Sequence, residues 1–124
     1  MGTVAGVAVA GALGALARYG IGSVVSARYS GAFPLGTFLI NVSGSFLLGL
    51  LFAVLTEQVL LSPALRATVT VGFLGAFTTF STFSLETFRL LEDGALGVAA
   101  LNALGSLAAG LVAVWLGVSI GRAI

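Results

Sequence analysis

Cysteine, histidine and lysine are all missing from this chain. Without cysteine there are no disulfides and no thiolate metal sites. Without histidine or lysine the usual catalytic bases, Schiff-base nucleophiles and imidazole ligands are gone, so no enzyme is expected. Charge is scarce too. Five arginines face four acids, 7% of the residues with a net charge of +1, where a soluble domain carries roughly 25%. So slight a charge gives nucleic acid or an acidic partner no footing. What remains is apolar: 59% of the residues are hydrophobic, and mean hydropathy is +1.20. A chain of 124 residues has room for one domain, 1–124, and this one must present its surface to lipid.

The expected fold is all-α, with four transmembrane helices at about 3–26, 35–56, 66–89 and 94–121. No charge interrupts Leu35 to Thr56, Ala67 to Leu85 or Gly94 to Gly121, and each run is near or above the ~20 residues a bilayer core requires. The first stretch is interrupted only by Arg18. A secretory signal is not expected there, because no positive residue precedes the apolar run and three further spans follow. Pro34 suits a helix start, and Ser62-Pro63 reads as a cap and first turn. The connections are short, with no extramembrane domain.

Four helices place Arg66 and Arg122 on one side, and Arg28 and Arg89 on the other, joined by Arg18 if it reaches an interface. The positive-inside rule has almost nothing to act on. Insertion in both orientations is therefore expected, which permits an antiparallel, dual-topology homodimer like the inverted halves of single-chain transporters.

Small residues recur at every fourth position, as Gly2, Gly6, Ala10 and Gly14, and again as Gly105, Ala109, Ala113, Gly117 and Gly121. Such ridges let helices pack closely in lipid. Polar stripes stand against them: Thr37, Asn41, Ser45 and Gly49 in the second helix, and Asn102, Ser106 and Gly110 in the fourth. An amide in hydrocarbon needs partners, so both asparagines should face the interior.

The densest polar run is Gly75-Ala-Phe-Thr-Thr-Phe-Ser-Thr-Phe-Ser84. Five of its last seven residues carry hydroxyls, and no ionisable group lies between Arg66 and Glu86. Polar groups at mid-membrane depth are tolerated where protein buries them or a wet path runs past. Glycines, β-branched residues and competing hydroxyls also predict a helix broken near its middle, between Gly75 and Phe80. Freed carbonyls could hold a small cation, and a half-helix N-terminus attracts anions. Phenylalanine edges at Phe80 and Phe83 could line an anion path without trapping the ion.

The run Gly75-x-x-Thr78-Thr79-Phe80-Ser81-Thr82-Phe83 resembles the signature of the bacterial fluoride channels called Fluc, or CrcB proteins. Gly-Ala-Leu-Ala-Arg18-Tyr19, Gly36-Thr37-x-x-x-Asn41-x-x-Gly44 and Asn102-x-x-x-Ser106 support the likeness, which covers the whole chain. The resemblance implies passive fluoride export across the inner cell membrane by a multi-pass antiparallel homodimer, with two pores and one structural sodium ion. It would make Phe80 and Phe83 the aromatic lining, Asn41 an amide donor, and Ser81, Thr82 and Ser106 a polar track. Arg18 would sit at a vestibule, Glu86 near a pore end, and the Gly75 and Thr78 carbonyls on the sodium. Gly110 departs from the pattern, since a serine there would extend the track.

The alternative class is a small dual-topology multidrug or cation exporter. Proton coupling needs a titratable group in the bundle, and Glu57, Glu86, Glu92 and Asp93 all fall near expected helix ends or loops. A non-conducting structural subunit would leave the hydroxyl run without purpose.

Overall fold

Four helices are long and apolar enough to cross a membrane, and no strand is present among the described residues. The structure, a computed structural model, describes residues 1–58 and 61–124. Val59 and Leu60, in the connection expected over 57–65, lie outside them. The first span is α1 (Gly2–Arg28). The second is α2 (Leu35–Phe52), continued by a π-helical stretch, Ala53–Gln58. The third is composite: α3 (Pro63–Ala67), a π-helical stretch over Thr68–Leu74, α4 (Gly75–Phe77) and α5 (Phe80–Glu92). The fourth is α6 (Leu96–Ala123). The chain is an all-α, multi-pass membrane protein.

Local chemistry explains the ends. Ser62 caps α3, its Oγ accepting from the Leu65 N–H at 3.3 Å, and Pro63 follows in the first turn. The α5–α6 turn is a Schellman motif: the Ala95 N–H reaches Leu90 O at 2.9 Å, and the Gly94 N–H reaches Leu91 O at 3.1 Å. Gly94 takes φ 74°, a left-handed conformation in which a side chain would be strained. This turn lets α5 run to Glu92, three residues past the expected 89, and delays α6 to Leu96.

Glu57 is helical, in the last turn of the second span, and Glu86 is half-buried within α5, inside the range expected for the third helix.

The second span packs most extensively on the fourth, and the first on the third. Both seams depend on glycine. A β-carbon on Gly117 would collide with the Phe46 carbonyl and the Leu50 nitrogen, and one on Gly14 with the Phe73 carbonyl. Backbone therefore meets backbone, and dispersion between the helices replaces the absent hydrophobic drive. The buried core is correspondingly thin, with Ile40, Leu74, Phe77 and Leu90 its larger members. Leu101, Leu104, Leu107, Leu111 and Trp115 are exposed along α6, as an acyl-chain-facing helix requires.

Candidate functional site

The third span is interrupted where its hydroxyls are densest. Thr78 (φ −81°, ψ 157°) and Thr79 (φ −148°, ψ 115°) are extended between α4 and α5. The Thr79 N–H and C=O thus leave the helical ladder at mid-span, where each must find another partner. Asn41, from α2, supplies it. Its Nδ2 donates to the Thr79 carbonyl at 3.0 Å, and its Oδ1 accepts from the Thr79 N–H at 2.8 Å. The amide pairs with one residue's backbone as a neighbouring strand would. This reciprocal pairing sets its orientation and leaves one Nδ2 proton for another acceptor.

Thr79 then opens α5. Its Oγ1 accepts from the Thr82 N–H at 3.3 Å and donates to Thr82 Oγ1 at 3.0 Å. Thr78 instead turns its hydroxyl back to Leu74 O at 2.9 Å. The N-terminus of a 13-residue helix, carrying partial positive charge, is therefore set beside the break.

A cleft of about 330 Å³ lies against this junction. Six of the residues singled out from sequence line it together: Asn41, Gly75, Thr78, Phe80, Phe83 and Ser106. Phe80 and Phe83 sit with ring centroids 5.8 Å apart and planes tilted by 41°. Phe80 is 79% exposed, so one wall of the cleft is open in the single chain.

The other expected residues lie elsewhere. Thr82 reaches the site only through Thr79, and Ser81 is exposed on the outer face of α5. Glu86 Oε1 accepts from Thr37 Oγ1 at 2.8 Å, and both residues line a second cleft of about 230 Å³ beside the Tyr29–Pro34 loop. Arg18 is half-buried on α1; its Nε is fully covered and, among the described residues, has no hydrogen-bond partner.

Asn102 is 1% exposed. Its Nδ2 donates to Thr87 Oγ1 at 2.8 Å, and its Oδ1 accepts from Ser106 Oγ at 3.2 Å. Since Thr87 bonds to Phe83 O at 2.8 Å, a polar chain ties α6 to α5 directly behind the aromatic pair. Sequence reasoning gave Thr79 no role of its own within the hydroxyl run and did not single out Thr87. The Thr79-x-x-Thr82 spacing of an N-cap could have flagged the first; for Thr87 no local signal exists, because its partner is fifteen residues away on another helix.

Among the described residues no cluster of three or more His, Cys, Asp or Glu side chains could hold a metal. Backbone oxygen is the remaining possibility, and the break provides it. The Thr79 N–H is taken by Asn41, so it does not close on the Gly75 carbonyl; the Thr82 N–H is taken by Thr79 Oγ1 instead of the Thr78 carbonyl. Two neutral oxygens are released beside the cleft, a donor set suited to a hard monovalent cation.

The only ion pair among the described residues lies away from the cleft. Arg122 holds Glu57 through two contacts of 2.8 Å, joining the ends of the fourth and second spans. Gln58 adds a 2.6 Å bond to the Gly121 carbonyl.

Known proteins resemble this chain along nearly its whole length. The family model described as "CrcB-like protein, Camphor Resistance (CrcB)" matches residues 5–118. A protein of Geotalea uraniireducens named "Fluoride-specific ion channel FluC" is 49% identical over 124 residues, covering 100% of both chains. A protein of the same name from Acidobacterium capsulatum is 52% identical over 118 residues, 95% of this chain and 94% of the relative. Another from Geobacter sulfurreducens is 49% identical over 122 residues, 98% of each.

Proposed function

The chain belongs to the CrcB-like family, and from that premise we propose that it conducts fluoride passively across the cell membrane. The observation carrying this reading is the uncharged cleft at the broken third span. It offers an amide locked by Thr79, a helix N-terminus, two phenylalanines and the Ser106 hydroxyl, with no ionised group in its lining. Fluoride is small and strongly hydrated, so a pore must replace its water with donors that still release it. Hydroxyls, an amide proton and positive ring edges meet that need; a guanidinium would hold the anion too well.

The working unit is an antiparallel pair of chains in the inner membrane, with two pores. Phe80, Ser81 and Ser84 are exposed on one face of α5 beside the open wall of the cleft. Hydroxyls gain nothing from lipid, and a second copy would cover them. At the centre of the pair, the Gly75 and Thr78 carbonyls would hold one structural sodium ion. Each chain supplies two oxygens, so two chains would complete a neutral cage; the ion would supply positive charge that keeps two α4–α5 breaks together. Within each pore, Asn41, Phe80, Phe83 and Ser106 line the path, with Thr82 bonded behind them to Thr79 and Ser81 at the covered face. Arg18 concentrates anions at one vestibule, and Glu86 with Thr37 marks the other end.

A proton-coupled exporter finds no comparable support. No titratable side chain lines the mid-span cleft, and Glu86 faces the smaller one. The test is ion efflux from liposomes carrying the purified protein. Rapid loss of fluoride with chloride retained is expected; retention of fluoride by a folded, dimeric protein would refute the channel.

A further inference from the structure

A hydroxyl on a membrane helix ordinarily bonds back to a carbonyl of the preceding turn. Ser23, Thr68, Thr70, Thr78, Ser84 and Thr87 all do so here, at 2.8 to 2.9 Å. Ser45 does not. Among the described residues its hydroxyl has no hydrogen-bond partner, although it is half-buried on α2 and lines the mid-span cleft one turn beyond Asn41. Directly across the α2–α6 seam is Gly110, one turn beyond Ser106. A β-carbon built on Gly110 would lie 3.7 Å from Ser45 Oγ and meet nothing nearer. The glycine thus leaves an opening on α6 of the size of one small side chain, and the free hydroxyl beside it comes from α2.

We propose that Ser45 is a fluoride-contacting residue of the pore, its hydroxyl from the second span standing where Gly110 leaves the fourth span without one. The inference rests on the channel reading above. An unpartnered O–H beside a cleft keeps its donor free, whereas a back-bonded one has already spent its proton. Ser106 on α6 lines the cleft but gives its proton to Asn102 Oδ1; Ser45 on α2, one turn further from Asn41, is the next hydroxyl and the free one. The track changes helix at Gly110 instead of ending there. Close packing permits the crossing, because the same seam brings Gly49 and Gly117 into backbone contact one and two turns further on.

The experiment is fluoride efflux from liposomes containing the unsubstituted chain, Ser45→Ala, Ser45→Cys, and the double variant Ser45→Ala/Gly110→Ser, with dimer elution checked for each. Loss of one donor should lower flux roughly three- to ten-fold in Ser45→Ala, with chloride still excluded. Ser45→Cys, which keeps the bulk but weakens the donor, should fall as well. Gly110→Ser should restore the double variant to within about two-fold of the unsubstituted chain, because one hydroxyl-for-hydroxyl exchange leaves the donor count unchanged. Should Ser45→Ala conduct as fast as the unsubstituted chain, or the double variant no faster than Ser45→Ala, Ser45 is not a pore donor. An unsubstituted chain that passes no fluoride overturns the channel reading itself and this inference with it.

Discussion

Asn41 illustrates how a single side chain can hold a backbone irregularity inside a membrane. Its two bonds to Thr79 replace those the helix gave up at the break. Asn41→Ala would leave a peptide N–H and C=O without partners at mid-span, at a cost of about 1–3 kcal/mol for the buried groups. Thermal unfolding in detergent should therefore shift downward, and fluoride flux should fall with it. A variant that unfolds at the same temperature would show that Thr79 finds its partners elsewhere. Phe80 differs, because its ring is largely exposed and, beyond its approach to Phe83, contributes little to packing within the chain. Phe80→Met should leave assembly intact yet reduce fluoride flux by about ten-fold, the upper worth of an aromatic-edge contact. Undiminished efflux from that variant would remove the ring from the pathway.

Among the elements, the α2–α6 seam has the least tolerance. Gly117 faces the Phe46 carbonyl and the Leu50 nitrogen, both backbone atoms that cannot rotate aside. Gly117→Val should cost about 1–3 kcal/mol or more through overpacking, giving aggregated or poorly dimeric protein on gel filtration. A monodisperse, dimeric variant would mean that the helices can separate and still assemble. The π-helical stretches flanking α3 belong to the same scale. Each carries about one extra residue per turn, and the one over Thr68–Leu74 ends one short helical turn, α4, before the break. Side chains beyond it are rotated relative to a regular helix, which helps bring Gly75 and Thr78 round to the cleft.

For the whole molecule the issue is what covers the open wall. The proposed partner is an inverted copy, and near-even arginine distribution permits one. The absence of native cysteine makes this directly measurable. With Ala123→Cys, near the C-terminus, a membrane-impermeant maleimide applied to intact cells should label about half of the chains if both orientations insert. Full labelling, or none, would require a single orientation and a different covering surface.

The number of spans, their membrane setting and the place where the third would give way are properties of local composition. Apolar run length, hydroxyl density around Thr78 and Thr79, and the absence of titratable residues there all act within one segment, so they can be read along the chain. Ser62-Pro63 belongs with them, because a cap is made within a single turn. The end of α5 at Glu92, past the expected 89, could not be read so simply, since it was decided by the Schellman turn at Gly94. Pairing across helices was beyond local reading altogether. Which backbone group Asn41 would bind, whether Asn102 would turn toward Thr87, and what would lie opposite Gly110 depend on helix rotation and height. Those are set by close glycine contacts between segments far apart in the chain, and only the folded bundle brings such segments together.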